Sequence, residues 1–432
     1  MADAYISPSY TVAVVGAGAA GMLAAATVSE SLRDGGFDVG RDVRVLMLER
    51  NDRVGKKLRI TGKGRCNLTN DCDRDEFLSN VPTNPRFLYT ALAQFSPQDT
   101  RAYLEELGVP LKVERGKRVF PVSDKASDVV DALYRHCREL GVELINKKVT
   151  GLHFDDGGVC GVKAGAEMIG ADFVLLATGG CSYPTTGSDG LGHKLAASAG
   201  HSIEKICPSL VPIVCEGNIC SRMMGLSLRN VRLKVVRCES GATVFEDFGE
   251  LLFTHFGITG PLVLSASAHI PDLEAGKYEI LIDLKPALDD KTLDTRIVSD
   301  FAKYSNRDFI NALSDLLPQK AIEPVADLTG IPYRKKVNAI TKEERGRLVS
   351  VLHGLKLSPV RFRPIAEAIV TKGGVSVKEV SPKTMESKLV RGLYFAGEIL
   401  DLDAYTGGFN LQIAFSTARA AGGAIAREIK GY

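Results

Sequence analysis

The chain has 432 residues, enough for two or three domains and a large core. Its 54 Lys and Arg against 52 Asp and Glu leave a net charge of +2, so the chain as a whole carries no electrostatic signature for nucleic acid or membrane, and any basic patch is local. Nine cysteines, odd in number and without a C-x-x-C pair, argue against a zinc ribbon or a C-x-x-C redox dithiol; they read as free thiols in a reducing, cytoplasmic setting.

Residues 11–28, TVAVVGAGAAGMLAAATV, run 18 positions without a charge, the lower length for a membrane span. No basic n-region precedes them, and Gly and Ala dominate rather than Leu and Ile. The stretch divides instead into a β-branched buried strand (TVAVV), a turn (GAGAAG) and a helix (MLAAATVSESL). Gly16, Gly18 and Gly21 make G-x-G-x-x-G across that turn. The first permits the tight turn, the second lets a pyrophosphate approach the backbone, and the third lets helix and strand pack closely. The helix N-terminus then offers free N–H groups and a positive dipole end. The next strand, VRVLMLE, ends in Glu49, suited to accept hydrogen bonds from a ribose diol. Gly21 and Glu49 are 28 positions apart, and the polar loop DGGFDVGRD accounts for the length.

KLRITGKGRCNLTN, residues 57–70, carries Lys57, Arg59, Lys63 and Arg65 and has neither apolar period, so it predicts neither an ordinary strand nor a helix. Its residues leave three readings open: a solvated basic loop, an RNA-binding patch, or the wall of a cofactor site. VELINKKVTGLHFDDGGVCGVKA predicts strand, turn and strand. FVLLATGG is a continuous apolar run, the pattern of a buried parallel strand. From 203 to 285, SLVPIVCE, RNVRLKVVRCE and YEILIDLKP, separated by glycine turns, predict a small β-barrel or sheet. Helices follow in DTRIVSDFAKY, in NRDFINALSDLLP with an Asn306 cap, and in TKEERGRLVSVLHGL with a Thr341–Glu344 capping box. The expected modules are 1–193 with 354–432, then 194–288, then 289–353. No second G-x-G-x-x-G is present, so no separate nicotinamide domain is expected.

Residues 392–428, GLYFAGEILDLDAYTGGFNLQIAFSTARAAGGAIARE, predict a strand, a Gly397–Glu398 corner, a Gly-Gly turn and a long helix with a small-residue face. FAD enzymes, unlike NAD-only ones, need a late strand that brings an acid to the ribityl chain and a helix whose N-terminus faces the flavin N1–C2=O region. Glu398 fits the first role, and the amides of Gly408, Asn410 and Leu411 fit the second. A βα unit that merely closes the sheet is the alternative. No metal site, Ser-His-Asp order or H-E-x-x-H stands out, so the chemistry is assigned to the cofactor. His255, in LLFTHFGITGP, is the candidate proton donor; a turn histidine without a catalytic role is the other reading. Tyr183 and Tyr405 lie in glycine-flanked loops as wall residues.

The segments VVGAGAAG, GKKLRITGKGRCNLTN, LLATGGCSYPTTGSDGLGH, GELLFTHFGITGPLVL, TKGGV, TMESK and LYFAGEILDLDAYTGGFNLQIAFSTARAAG resemble a bacterial family of FAD-dependent flavoproteins. Its members are called NAD(P)/FAD-dependent oxidoreductases, the aminoacetone oxidase family or 3-dehydro-bile acid Δ4,6-reductases. ATGG and TGSDG are also similar to the fumarate reductase and aspartate oxidase flavoproteins. The resemblance implies an α/β fold: a Rossmann-type, glutathione-reductase-like FAD-binding domain with an inserted β-barrel module and a helical module. It implies non-covalent FAD, with NAD(P)H as electron donor. The implied cofactor-binding set begins with Gly16, Gly18, Ala20, Gly21, Glu49 and Arg50. Beyond Glu49 the basic strip runs along the FAD. There Lys57, Lys63 or Arg65 offsets phosphate or reduced-ring charge, Gly62 and Gly64 let backbone N–H groups reach the ring edge, Asn67 bonds a ring carbonyl or amide, and Thr61 belongs to the same cofactor-binding set. Cys66 is a packing residue, a redox-active thiol near the flavin, or a weak polar contact. Val149 follows by position at the adenine, and Ala177, Thr178 and Gly179 return to the FAD with Gly397 and Glu398. Arg65 joins His255 as a catalytic candidate. The implied activity is hydride transfer between NAD(P)H, flavin and a small organic substrate, such as the activated C=C of an unsaturated 3-oxo bile acid or steroid. A flavin amine oxidase using O2 and an RNA-directed or non-redox flavoprotein stay open as alternatives. No nucleic-acid, membrane or metal partner is expected.

Overall fold

The strand Tyr10–Val15 forms at the centre of a five-stranded parallel sheet, as its Val-rich, uncharged run suits a strand buried on both faces. Val43–Leu48 pairs on one side and Phe173–Leu176 on the other, with Val12 opposite Val45 and Phe173. Leu393–Phe395 and Glu143–Ile145 complete the order at the two edges. This computed structural model describes residues 8–432. Helix Ala19–Asp34 packs on the C-terminal helix Phe409–Lys430. The small face read from the sequence explains the closeness: a Cβ at Gly422 would stand 2.7 Å from the Ala24 carbonyl oxygen.

The described residues through Ser209 join Ile365–Tyr432 in one packing unit, and Leu210–Pro364 form another. The first unit runs past the expected boundary at 193 because Ile203–Ser209 pairs antiparallel with Val370–Val375, and it resumes at Ile365 rather than at 354 because Leu355–Leu357 and Pro359–Phe362 join the sheet of the second unit. In the second unit seven strands form an antiparallel sheet: Leu355–Leu357, Tyr278–Asp283, Ser227–Arg237, Thr243–Phe253, Gly257–Thr259, Ile213–Cys215 and Pro359–Phe362, in that spatial order. Tyr278, Ile280 and Ile282 alternate inward, as period 2 demands. Leu293, Phe301 and Leu348 from the helices bury into the same core as Leu233 and Ile280, so no packing boundary falls at 288.

Local departures have local causes. NRDFINALSDLLP yields one α-turn, Phe309–Ala312, and the preceding residue is Asp308 rather than Asn306. Phe309 N donates to Lys335 O and Ile310 N to Tyr333 O, so tertiary pairing takes the first donors. The Thr341–Glu344 capping box is present, with Thr341 N donating to Glu344 Oε2 at 2.8 Å. VELINKKVTGLHFDDGGVCGVKA gives three strands, not two: Glu143–Ile145 enters the parallel sheet, while Val149–Asp155 and Gly158–Ala164 form a hairpin.

Candidate cofactor site

The glycine turn is closed where packing demands it and open where a ligand would lie. Gly16 has φ +102°, and a Cβ there would meet the Ala177 carbonyl oxygen at 2.6 Å. A Cβ at Gly21 would come within 1.7 Å of the Gly16 carbonyl oxygen. A Cβ at Gly18 would meet nothing within 4 Å. The 16-residue helix that begins there has no side-chain cap and no acid in its first turn. Ala20 is buried, its methyl 3.1 Å from the Cβ position of Gly397.

Glu49 is 7% exposed. Its Oε2 accepts from Ala17 N at 2.9 Å, and its Oε1 accepts from Asn51 N at 2.8 Å and Asn51 Nδ2 at 2.7 Å. Arg50 is ion-paired with Asp189 of the TGSDG segment. Val149 is buried at the start of its hairpin, opposite Ala164. Ala177 N donates to Val15 O, which docks the ATGG loop beside the glycine turn. Gly179 takes φ +72°.

The basic strip folds as a single α-helical turn, Lys56–Ile60, followed by the tight turn Thr61–Gly64, so it is less irregular than its pattern implied. Gly62, Lys63 and Cys66 all have left-handed φ, of 57°, 59° and 61°. Lys57 Nζ donates to Glu398 Oε2 and to Ser182 Oγ, each at 2.6 Å. Glu398 Oε1 accepts from Thr371 N at 2.8 Å and Ser182 Oγ at 3.1 Å. Three distant segments thus meet on the carboxylate of a fourth. Ser182 and Thr371 escaped the sequence reading, although both lie in segments, GGCSYP and TKGGV, that carry the family resemblance. Asp189 escaped it too, although it lies in the TGSDG segment, and Asn51, Glu114 and Asp124 escaped it for want of any motif.

Arg65 is fully engaged by protein. Its Nη2 donates to Glu114 Oε1 at 2.5 Å and to Asp124 Oδ1 at 2.6 Å, and its guanidinium lies 4.2 Å from the Phe120 ring centre. Hydrogen bonds from Arg65 hold the Glu114 carboxyl below its ordinary range; those from Lys112 and Arg65 do the same to Asp124. Lys63 is exposed and has no hydrogen-bond or ion-pair partner among the described residues. Burial pushes the Cys66 thiol up to about 12, so it is un-ionised at neutral pH. Asn67 Oδ1 and Thr178 Oγ1 are buried without a protein partner.

Gly397 turns at φ +78°, its N donating to Thr417 Oγ1 at 2.9 Å. Gly408, at φ +103°, starts the C-terminal helix against Thr69, whose carbonyl oxygen stands 2.3 Å from the Cβ position. Asn410 is spent on its own loop, accepting from Ala404 N and donating to Ala404 O, and Leu411 is half-buried. His255 lies exposed in a turn of the second unit, its ring edge-on to Phe256. Among the described residues, no helix is long and apolar enough to cross a membrane, and no group of three or more His, Cys, Asp or Glu is placed to hold a metal ion.

A parallel sheet with this glycine turn defines a Rossmann-type nucleotide-binding protein. The chain belongs to the family described as HI0933-like protein Rossmann domain, matched over residues 10–424, a family of FAD-binding oxidoreductases. It is 30% identical over 423 residues to the 3-dehydro-bile acid delta(4,6)-reductase of Clostridium scindens, covering 96% of this chain and 98% of that one. It is 30% identical over 407 residues to the ribosomal RNA dihydrouridine synthase of Escherichia coli, covering 94% and 95%. A solved 3-ketosteroid delta1-dehydrogenase from Sterolibacterium denitrificans, in complex with 1,4-androstadiene-3,17-dione, aligns over 97% of this chain and 99% of its own at 14% identity, with a TM-score of 0.49.

Proposed function

We propose that the protein uses non-covalent FAD and NAD(P)H to reduce a carbon–carbon double bond conjugated to a carbonyl in a small organic molecule. One observation carries the reading. Two relatives equally similar to this chain have names with different substrates but one reaction type. A delta(4,6)-3-oxo steroid and a uridine base each present a C=C conjugated to a carbonyl, and each product is its saturated form. FAD supplies the hydride carrier for such a reduction.

The chain's own residues fit that cofactor. The open flank of Gly18 and the uncapped helix behind it suit a pyrophosphate. Glu49 is held by Ala17 and Asn51 so that its remaining lone pairs suit a ribose diol. Lys57 and Ser182 orient Glu398 for the ribityl chain. Asn67 Oδ1 and Thr178 Oγ1 are buried oxygens that a bound flavin nucleotide would satisfy.

A second reading, uridine within RNA, has the Escherichia coli relative in its favour. It also has Lys63, Arg115 and Arg118, exposed cations without a carboxylate partner among the described residues. Anaerobic titration with NADH or NADPH, watched by flavin bleaching, tests both. Re-oxidation by an unsaturated 3-oxo steroid supports the first reading and re-oxidation by a uridine-containing RNA the second. Bleaching by an amine, with re-oxidation by O2 alone, refutes both in favour of an oxidase.

A further inference from the structure

We propose that Arg65 is a positioning residue whose task is to present Lys63 to the flavin ring, and that Lys63 rather than Arg65 balances the charge of the reduced flavin. The inference rests on the proposed course of the strip along FAD. Reduction adds two electrons and one proton and leaves one negative charge on the ring, so a nearby uncompensated cation favours the reduced state. The strip has four cations at 57–65, and three are already compensated. Lys57 is paired with Glu398 at 2.6 Å, Arg59 with Asp131 at 2.6 Å, and Arg65 with both Glu114 and Asp124. Lys112 also bridges to Asp124 at 2.8 Å, so Arg65 and Lys112 against Glu114 and Asp124 form a locally neutral cluster. Lys63 keeps its whole charge.

The backbone says why Arg65 is needed. Gly62 and Lys63 are consecutive left-handed residues, a conformation a lysine adopts only when its surroundings enforce it. The enforcing contacts converge on the hairpin Leu111–Glu114 and Arg118–Pro121. Arg65 grips that hairpin through Glu114 and its stack on Phe120, and the turn that follows it through Asp124, while Arg65 N donates to Gly62 O at 3.3 Å and Cys66 N to Thr61 O at 3.0 Å. The Cβ position of Gly62 is itself 3.6 Å from the Phe120 ring. Arg65 therefore pins the turn that carries the exposed Lys63.

Anaerobic redox titration at matched FAD occupancy tests this. Lys63→Ala weakens the reduced flavin about tenfold relative to the oxidised form, which lowers the two-electron midpoint by about 30 mV. Lys63→Arg keeps the midpoint. Arg65→Ala lowers it in the same direction, and the double variant Lys63→Ala/Arg65→Ala lowers it no further than Lys63→Ala alone. Glu114→Gln with Asp124→Asn gives the sharpest contrast. By this proposal the turn loosens and the midpoint falls; if Arg65 acted through its own charge, unmasking it would raise the midpoint. An unchanged midpoint in Lys63→Ala, additive shifts in the double variant, or a raised midpoint in the Glu114/Asp124 variant overturns the proposal. Should Arg65→Ala not fold, Lys63→Ala and the Glu114/Asp124 variant decide it. A protein that takes up no FAD refutes the reading of the site instead; normal FAD content with an unmoved midpoint refutes this inference alone.

Discussion

Replacing Glu49 by alanine separates the two tasks its carboxylate performs. The side chain accepts three hydrogen bonds, two of them from the backbone of Ala17 and Asn51. Asn51 is half-buried and can turn to water, but Ala17 is wholly buried, so its N–H is stranded. A stranded buried donor and the loss of charge-assisted bonds together cost about 2–4 kcal/mol. At roughly 2 °C per kcal/mol for a unit of this size, the FAD-free protein melts about 4–8 °C lower. The proposed ribose bonds go as well, about 1.5–3 kcal/mol, or roughly 10- to 100-fold in FAD affinity. Glu49→Gln distinguishes the terms. Its amide keeps one acceptor oxygen but turns an NH2 toward a donor, so it melts between wild type and Glu49→Ala while losing most of the FAD affinity. Thermal melting of the apoprotein and fluorescence titration of FAD read the two terms separately. An alanine variant with unchanged melting and unchanged FAD affinity would mean that Glu49 neither clamps the glycine turn nor holds the ribose.

Gly21→Ala brings a methyl within 1.7 Å of the Gly16 carbonyl and is expected to abolish soluble protein, whereas Gly18→Ala meets nothing within 4 Å and is expected to fold normally but bind FAD weakly. Expression yield, melting and FAD titration of the pair check this. Burial pushes the Glu30 carboxyl up, but hydrogen bonds from His136 at 2.7 Å, Arg419 at 2.5 Å and Tyr103 at 2.8 Å outweigh it and hold the group below its ordinary value of 4.5. A lowered folded-state value contributes stability that is complete above the unfolded value and is lost as pH falls through the folded one. Glu30→Gln is therefore less stable than wild type at neutral pH, with the gap closing below pH 4.5 in denaturant melts; a gap independent of pH refutes the assignment. Native alkylation with iodoacetamide should spare Cys66, whose thiol stands at about 12, and label the exposed Cys238; early labelling of Cys66 would show that the strip opens.

Glycine spacing and apolar period carry the parallel sheet, the nucleotide turn and the long C-terminal helix, because each depends on backbone sterics and burial within a few residues of chain. TVAVV, FVLLATGG and the Thr341–Glu344 box are legible for that reason. Asn306 misleads as a cap because the donors of Phe309 and Ile310 go to Lys335 and Tyr333, a competition no local pattern displays. The four strip cations look equivalent in sequence. What separates them is which carboxylate the fold delivers: Glu398 reaches Lys57 from 341 positions away, Glu114 and Asp124 reach Arg65 from 49 and 59, and none of the described residues reaches Lys63. An ion pair depends on distance in space, and a carboxylate hundreds of positions along the chain leaves no spacing to read. The sequence by itself therefore determines that a basic, glycine-rich strip follows the nucleotide turn; only tertiary packing decides which of its charges is left for a ligand.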